Sequence, residues 1–234
     1  MVVADPSDEL VRLVTHHGDP PVDVPSAADR RSAALVRRRF GLALPPPFAG
    51  APGADEPIRV AAPTDGAAIA AIKWRVFGTS YRGGVMDDAF LDRRGVVPPP
   101  SFWIGRAMVP PSRRHRTFVW GRPGVVFGYL DAGPVHPDDA DPDHPDAGEV
   151  YELYVDHTAQ GRGGGAKLLG AAEAWFRSVG HPWAELSTQA TNPVAQRFYR
   201  ANGWVATGRV TPVDLGVVAY DEVRFAKPLG ADGP

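Results

Sequence analysis

Between Val150 and Leu169 an apolar run gives way to a glycine-rich loop, Gly161-Arg-Gly-Gly-Gly165, and then directly to apolar residues at helical spacing. A strand, a flexible turn and a helix in that order constrain the fold more than any other stretch of the chain. Glycine lets backbone N–H groups turn toward an anion without obstruction, and a helix N-terminus behind them contributes about half a positive charge from its dipole. The segment is therefore built to hold a phosphate, and it predicts a phosphorylated ligand.

Three loops of this kind differ in spacing. A P-loop requires Gly-Lys-Ser/Thr after four intervening residues, but Lys167 follows Ala166 and precedes Leu168. The dinucleotide fingerprint fits permissively at Gly161, Gly163 and Ala166, with Glu185 about 20 residues on. Against it, Asp156 to Gln160 separate the apolar run from the glycines, and the chain beyond Gly165 is too short to finish a doubly wound nucleotide domain. The third pattern, Gln/Arg-x-x-Gly-x-Gly/Ala, is matched by Gln160, Gly163 and Gly165.

A second segment, Asn192-Pro-Val-Ala-Gln-Arg-Phe-Tyr-Arg-Ala-Asn-Gly-Trp204, reads as a helix with Asn192 as N-cap, Pro193 in the first turn and Gly203 past the end. Ala195 and Tyr199 share one stripe of it, leaving space beside the phenol. Val194 and Phe198 share the next and are expected to pack inward. With these two motifs the chain resembles the GNAT N-acetyltransferase superfamily over about Ile58 to Leu229, most strongly from Glu149 to Trp204. Trp74-Arg75, Tyr81-Arg82-Gly83 and Phe90-Leu91-Asp92 add a likeness to a bacterial GNAT subgroup.

The resemblance implies acetyl-CoA as co-substrate. The amides of Gln160, Gly161, Arg162, Gly163, Gly164, Gly165 and Ala166 would take its pyrophosphate, and the backbone of Leu153, Tyr154 and Val155 would pair with its pantetheine arm. Asn192, Ala195 and Tyr199 would complete the cofactor side. It also implies a mixed α/β fold with a mostly antiparallel, twisted sheet of about seven strands and about four helices.

The remaining pattern agrees with that architecture. Ile58 to Ala62 reads as a first strand, Thr64 to Phe77 as a helix with Ile69, Ile72 and Val76 inward, and Asp87 to Arg94 as a shorter helix. Phe102 to Met108, Thr117 to Trp120 and Val125 to Leu130 have the aromatic and β-branched content of antiparallel strands. Leu168, Leu169, Ala172, Trp175, Phe176 and Val179 make one buried helical face ending at Gly180, followed by a strand from Trp183 to Ser187. Val205 to Val210, Val217 to Tyr220 and Glu222 to Ala226 would close the sheet.

Two stretches depart from a minimal domain of this kind. Residues 1–57 are expected to form an N-terminal extension that is either disordered or partly helical, with candidate helices at Ser7 to Thr15 and Ala27 to Phe40 set off by proline clusters. Residues 230–234 form a tail. Pro134 to Gly148 crowds aspartates and histidines together at a spacing that fits neither an EF-hand nor a zinc signature, so a mobile acidic loop and no metal are expected.

Composition removes several classes of chemistry. The chain has no cysteine, which excludes disulfides, thiolate metal sites and cysteine nucleophiles, and its net charge of -2 offers no general attraction for nucleic acid. The first ten residues lack a basic and apolar leader, and no apolar run approaches the ~20 residues of a membrane helix, so a cytoplasmic protein is expected.

An alkyl amine, with a pKa of about 10.4, arrives protonated and needs a general base before it can attack a thioester. The resemblance implies Glu149 for this role, at the start of the strand leading to the loop, with Glu152 as the alternative. Adjacent strand positions alternate, so the two carboxylates should point opposite ways unless a bulge intervenes. The backbone N–H of Leu153 or Tyr154 would stabilise the oxyanion, and Tyr199 would donate to the leaving thiolate. Trp74, Arg75, Tyr81 and Arg82 are candidates for the acceptor side, where an aromatic and guanidinium pair suits an apolar or carboxylate group. The expected acceptor is a small-molecule amine. A protein N-terminus or lysine is the alternative acceptor, a non-catalytic acyl-CoA-binding module the alternative function, and a homodimer one candidate assembly.

Overall fold

The computed structural model describes residues 52–53, 55–80, 98–214 and 219–230. Its elements run β1 (Ile58–Val60), α1 (Gly66–Ser80), α2 (Pro100–Met108), β2 (Arg116–Trp120), β3 (Gly128–Pro134), β4 (Gly148–Val155), α3 (Gly164–Ser178), β5 (Trp183–Gln189), α4 (Pro193–Ala201), β6 (Val205–Asp214) and β7 (Ala219–Pro228). The seven strands form one sheet in the order β1-β2-β3-β4-β5-β7-β6. Most described pairings are antiparallel, while β4 and β5 run parallel, with Gly148, Glu149 and Val150 opposite Ala184, Glu185 and Leu186. The candidate helices of the extension, the helix expected at Asp87 to Arg94, and Tyr81 and Arg82 lie outside the described residues.

The chain divides into two compact units, one running through Asp131 and resuming over Glu152–Ala171, the other made of Ala132–Tyr151 and Ala172 onward. In the former, Ile69, Ile72 and Val76 of α1 are buried with Trp103, Val119, Val126 and Tyr129, as the helical spacing predicts. In the latter, Tyr199 packs against Trp204 and Phe225, with ring centroids 6.5 and 5.8 Å away. There Gly148 permits a close approach of strand to helix, since a methyl group at that position would lie 2.3 Å from the Phe176 ring.

The segment expected as a strand from Phe102 to Met108 is helix α2. Pro100 at its first turn has the φ a helix requires, and Trp103 and Arg106, three residues apart, share its buried face. Gly66 lets α1 meet α2, because a methyl group there would sit 2.9 Å from the Ile104 backbone nitrogen.

Strand β3 runs four residues past the expected end at Leu130 and carries Asp131 into the interior. The buried carboxylate is accommodated by Arg106, whose Nη2 donates at 2.8 Å, and by the Thr117 hydroxyl at 2.6 Å. Near the C-terminus two long strands replace the three expected. Gly208, at φ +84°, falls where the β6–β7 register shifts between Ala206 and Val210, and Pro212 is tolerated because β6 lies at the sheet edge.

Candidate active site

The glycine loop enters α3 through conformations that only some of its glycines require. Gly161 and Gly163 have φ of +72° and +80°, which L side chains seldom adopt, and open space surrounds the position a Cβ would take at each. Gly164 has a different constraint: a methyl group there would lie 2.0 Å from the Trp120 ring. Asp156 fixes the approach to the loop. Its carboxylate caps the 3-10 turn His157–Ala159 by accepting from the Thr158 N–H at 3.1 Å and the Thr158 hydroxyl at 2.9 Å. Gln160 ties back through its side-chain amide to the Val155 carbonyl at 3.0 Å. Exposed glycines ahead of the N-terminus of a 15-residue helix suit a diphosphate, so the residues present fit the expected ligand.

Arg75, expected on the acceptor side, is committed to this same turn. Its Nε donates to Asp156 Oδ2 at 2.9 Å, and its Nη2 bonds the same oxygen. Burial pushes the Asp156 carboxyl up, but the bonds from Arg75 and Thr158 outweigh it and hold the group below its ordinary range. Trp74, the next residue back on α1, is 41% exposed, which leaves its indole available to a ligand.

The two candidate bases have different partners. Glu152 is buried with both oxygens engaged: Oε1 with the Lys73 ammonium and Oε2 with the Tyr129 hydroxyl, which donates at 2.6 Å. Burial, then the charge of Glu152, pushes the Tyr129 phenol well up, so it stays protonated and can donate. Tyr129 also stacks on Tyr154, with centroids 5.7 Å apart.

Glu149, 2% exposed, faces Arg224 of β7, whose Nη2 lies 3.4 Å from Oε1, longer than a hydrogen bond of good geometry. The guanidinium is held more closely by Glu185, with Nε donating to Oε2 at 2.7 Å. Because Glu149 and Glu185 are in register on neighbouring strands, their side chains share a face of the sheet, which sets up a repulsion between like charges. Arg224 offsets it. Burial opposes the guanidinium charge, yet Glu149 and Glu185, with Asp139 behind them, raise its pKa above the ordinary value.

Helix α4 begins as its sequence predicts, with Asn192 Oδ1 accepting from the Ala195 N–H at 3.0 Å. The inward stripe differs from expectation. Val194 is 66% exposed, and Tyr199 is the buried aromatic of the helix. The cap fixes the helical phase, and that phase turns Tyr199 toward Phe225 and Trp204.

The acidic segment between β3 and β4, expected to be mobile, finds fixed partners. His144 stacks on Trp183 at 3.9 Å and meets Glu185 Oε1 through Nδ1 at 2.9 Å, while Arg209 donates to the Asp139 carbonyl at 3.0 Å. Asp141, His144 and Glu185 offer ligand atoms within 4.8 Å of one another. With His144 Nδ1 on one oxygen of Glu185 and Arg224 Nε on the other, both carboxylate oxygens have close partners, and the group reads as a hydrogen-bonded network.

Lys73, Tyr129 and Arg224 belong to no motif in the sequence, and Glu185 enters only through the dinucleotide fingerprint set aside above. Their signal is a charged or phenolic side chain inside an otherwise apolar run, as in Glu222-Val-Arg-Phe225, which becomes informative once a strand is known to be buried on both faces.

Comparison with known proteins bears on this geometry. The family model described as "Acetyltransferase (GNAT) family" matches residues 82–204. The mycothiol acetyltransferase of Sanguibacter keddieii is 32% identical over 206 residues, which are 83% of this chain and 60% of that protein, so the chain spans well under the full length of this relative. A Mycobacterium tuberculosis protein named "Probable N-acetyltransferase Rv2775" is 28% identical over 181 residues, 73% of this chain and 95% of that one. Among solved structures, yncA of Salmonella typhimurium, determined with acetyl-CoA, superposes with a TM-score of 0.53 at 22% identity, covering 76% of this chain and 96% of that one. The ribosomal-protein-alanine N-acetyltransferase of Brucella melitensis gives 0.54 at 21% identity over 74% of this chain and 99% of its own. Identities this low show a shared fold.

Proposed function

The chain belongs to the GNAT acetyltransferase family, and from that premise we propose that it moves the acetyl group of acetyl-CoA to a primary amine of a small molecule, by direct attack within a ternary complex. The observation that carries the cofactor half is the loop from Gln160 to Gly165, with Gly161 and Gly163 at positive φ ahead of α3. The relative named for mycothiol, a small molecule, supports the acceptor half.

In this reading the loop amides, through Ala166, hold the pyrophosphate, and the backbone of Leu153, Tyr154 and Val155 pairs with the pantetheine arm. Asn192 and Ala195 are the further cofactor contacts that the resemblance implies. Glu149 is the preferred general base, at the start of the strand leading to the loop, whereas both Glu152 oxygens already accept close donors. Fewer than one in a thousand alkyl amines is neutral at pH 7, so removing that proton, directly or through water, is a large part of the task. An N–H at Leu153 or Tyr154 steadies the oxyanion, and the Tyr199 hydroxyl donates toward the departing thiolate. Trp74 borders the acceptor, while Arg75 serves the loop through Asp156.

The acetyltransferase domain in this reading is 58–229, with 1–57 as an extension and 230–234 as a tail, in a cytoplasmic protein that pairs as a homodimer. No helix of the described residues is long and apolar enough to cross a membrane.

The test is coenzyme A release by the purified chain with amino acids, aminoglycosides, polyamines, amino sugars and short peptides, with products identified by mass spectrometry. Acetylated small amines are expected. Acetylation confined to peptides would move the acceptor to proteins. Protection of the fold by acetyl-CoA with no product from any amine would leave a binding module.

A further inference from the structure

We propose that Arg224 is a positioning residue that sets the ionisation of Glu149, and that Glu185 acts against it by competing for the same guanidinium. The inference deepens the reading in which Glu149 is the general base, and it rests on that reading for its catalytic meaning.

Three strands place the charges. Glu149 on β4 and Glu185 on β5 lie opposite each other in a parallel ladder, and Arg224 on β7, paired with Ser187, is two residues along from Glu185's own antiparallel partner, Ala226. The three side chains are almost entirely enclosed, at 3%, 0% and 7% exposure. Two buried carboxylates on one face resist simultaneous ionisation, and one guanidinium between them removes that resistance.

The guanidinium is shared unequally, at 2.7 Å to Glu185 and 3.4 Å to Glu149. Glu185 is further fixed from its other side by His144, whose ring is clamped on Trp183. This arrangement sets a cation beside Glu149 at a longer distance than the one that holds Glu185. A nearby cation favours the charged form of a carboxylate, and a nearby like charge disfavours it. Among the described residues, the segment between β3 and β4 brings further titratable groups to the trio: His144 and Asp141 at Glu185, and Asp139 at Arg224.

Carbon-13 chemical shifts of the full chain labelled at glutamate carboxyl carbons read the ionisation of Glu149 directly, with its resonance assigned by its loss in Glu149→Gln. In Arg224→Gln the titration midpoint of Glu149 is expected to rise by roughly one pH unit or more, because the cation is gone and the like charge remains. In Glu185→Gln it is expected to fall, because a negative charge is removed and the guanidinium is released toward Glu149. Arg224→Lys should restore part of the Arg224→Gln shift. Opposite displacements by two variants are not the signature of a general loss of packing. If Arg224→Gln does not fold, Glu185→Gln and Arg224→Lys still decide the matter. A midpoint that stays within a few tenths of a pH unit in both charge-removing variants, or that moves the same way in both, overturns the proposal. Turnover of Glu149→Gln tests the underlying reading separately: full activity there would remove Glu149 as the base while leaving the titration result intact.

Discussion

Replacing Gly164 by alanine should disrupt the loop by crowding, since its φ is not among the positive glycine values. The added methyl group would lie 2.0, 2.2 and 2.5 Å from three atoms of the Trp120 ring, where carbon atoms normally rest at about 3.5–4.0 Å. Ring and helix must therefore part by about 1.5 Å. Trp120 has little freedom to yield: it is 1% exposed, paired with Ile58 across the sheet, and packed against Phe127 with centroids 5.6 Å apart. Overpacking of this kind costs roughly 1–3 kcal/mol, and a rigid site belongs near the upper end. For a chain of this size that lowers Tm by about 6–12 °C. The displaced residue is also the first of α3, so acetyl-CoA affinity should fall by about tenfold or more. Gly170→Ala in the same helix is the control, having open space around its Cβ position and a helical backbone; it should raise Tm by about 1–4 °C. Thermal unfolding by calorimetry and acetyl-CoA titration read both variants. If Gly164→Ala matches the wild type in Tm and affinity, the steric account of this glycine is wrong.

The remaining predictions concern charge and chemistry. Tyr199→Phe should lower kcat by about 10- to 100-fold with acetyl-CoA KM nearly unchanged, and unchanged turnover would remove the phenol from the mechanism. Lys73→Met leaves the buried Glu152 carboxylate without its cation and should cost about 3–5 kcal/mol in urea unfolding, much of it recovered when Glu152 is also made apolar. His115 has its pKa pushed down to about 4, first by burial and then by the Arg106 guanidinium, with Asp131 opposing. The unfolded chain, with the ordinary value near 6.5, takes up this proton first, so the histidine's contribution is present above about pH 6.5 and lost as pH falls toward 4. His115→Gln should flatten the wild-type loss over that window by an amount on the order of 2 kcal/mol.

The parts of the fold legible in the sequence are those where local chemistry and tertiary environment agree. The spacing of Ile69, Ile72 and Val76, the Asn192 cap, and the apolar run into the glycine loop each specify their element without outside help. Where the two disagree, the sequence misleads. Phe102 to Met108 has strand-like side chains, but Pro100 and the three-residue spacing of Trp103 and Arg106 favour helix. Asp131 reads as the end of a strand until Arg106, 25 residues earlier, is seen to neutralise it. The glycine loop was recognisable as a phosphate cradle, yet its sequence does not distinguish glycines needed for φ, at 161 and 163, from the one needed for room, at 164. Arg224 and Glu185 pair only because the strand order brings β5 and β7 together, which no local pattern encodes.

Direct attack in a ternary complex, with no acyl-enzyme, is the central chemical claim, and rapid mixing of the chain with acetyl-CoA tests it most directly. The account predicts no stoichiometric burst of coenzyme A and no acetylated protein by intact mass until an amine acceptor from the panel is added, after which coenzyme A and acetylated amine appear together. A burst equal to the protein concentration before any acceptor, with the acetyl group on the chain, would contradict it.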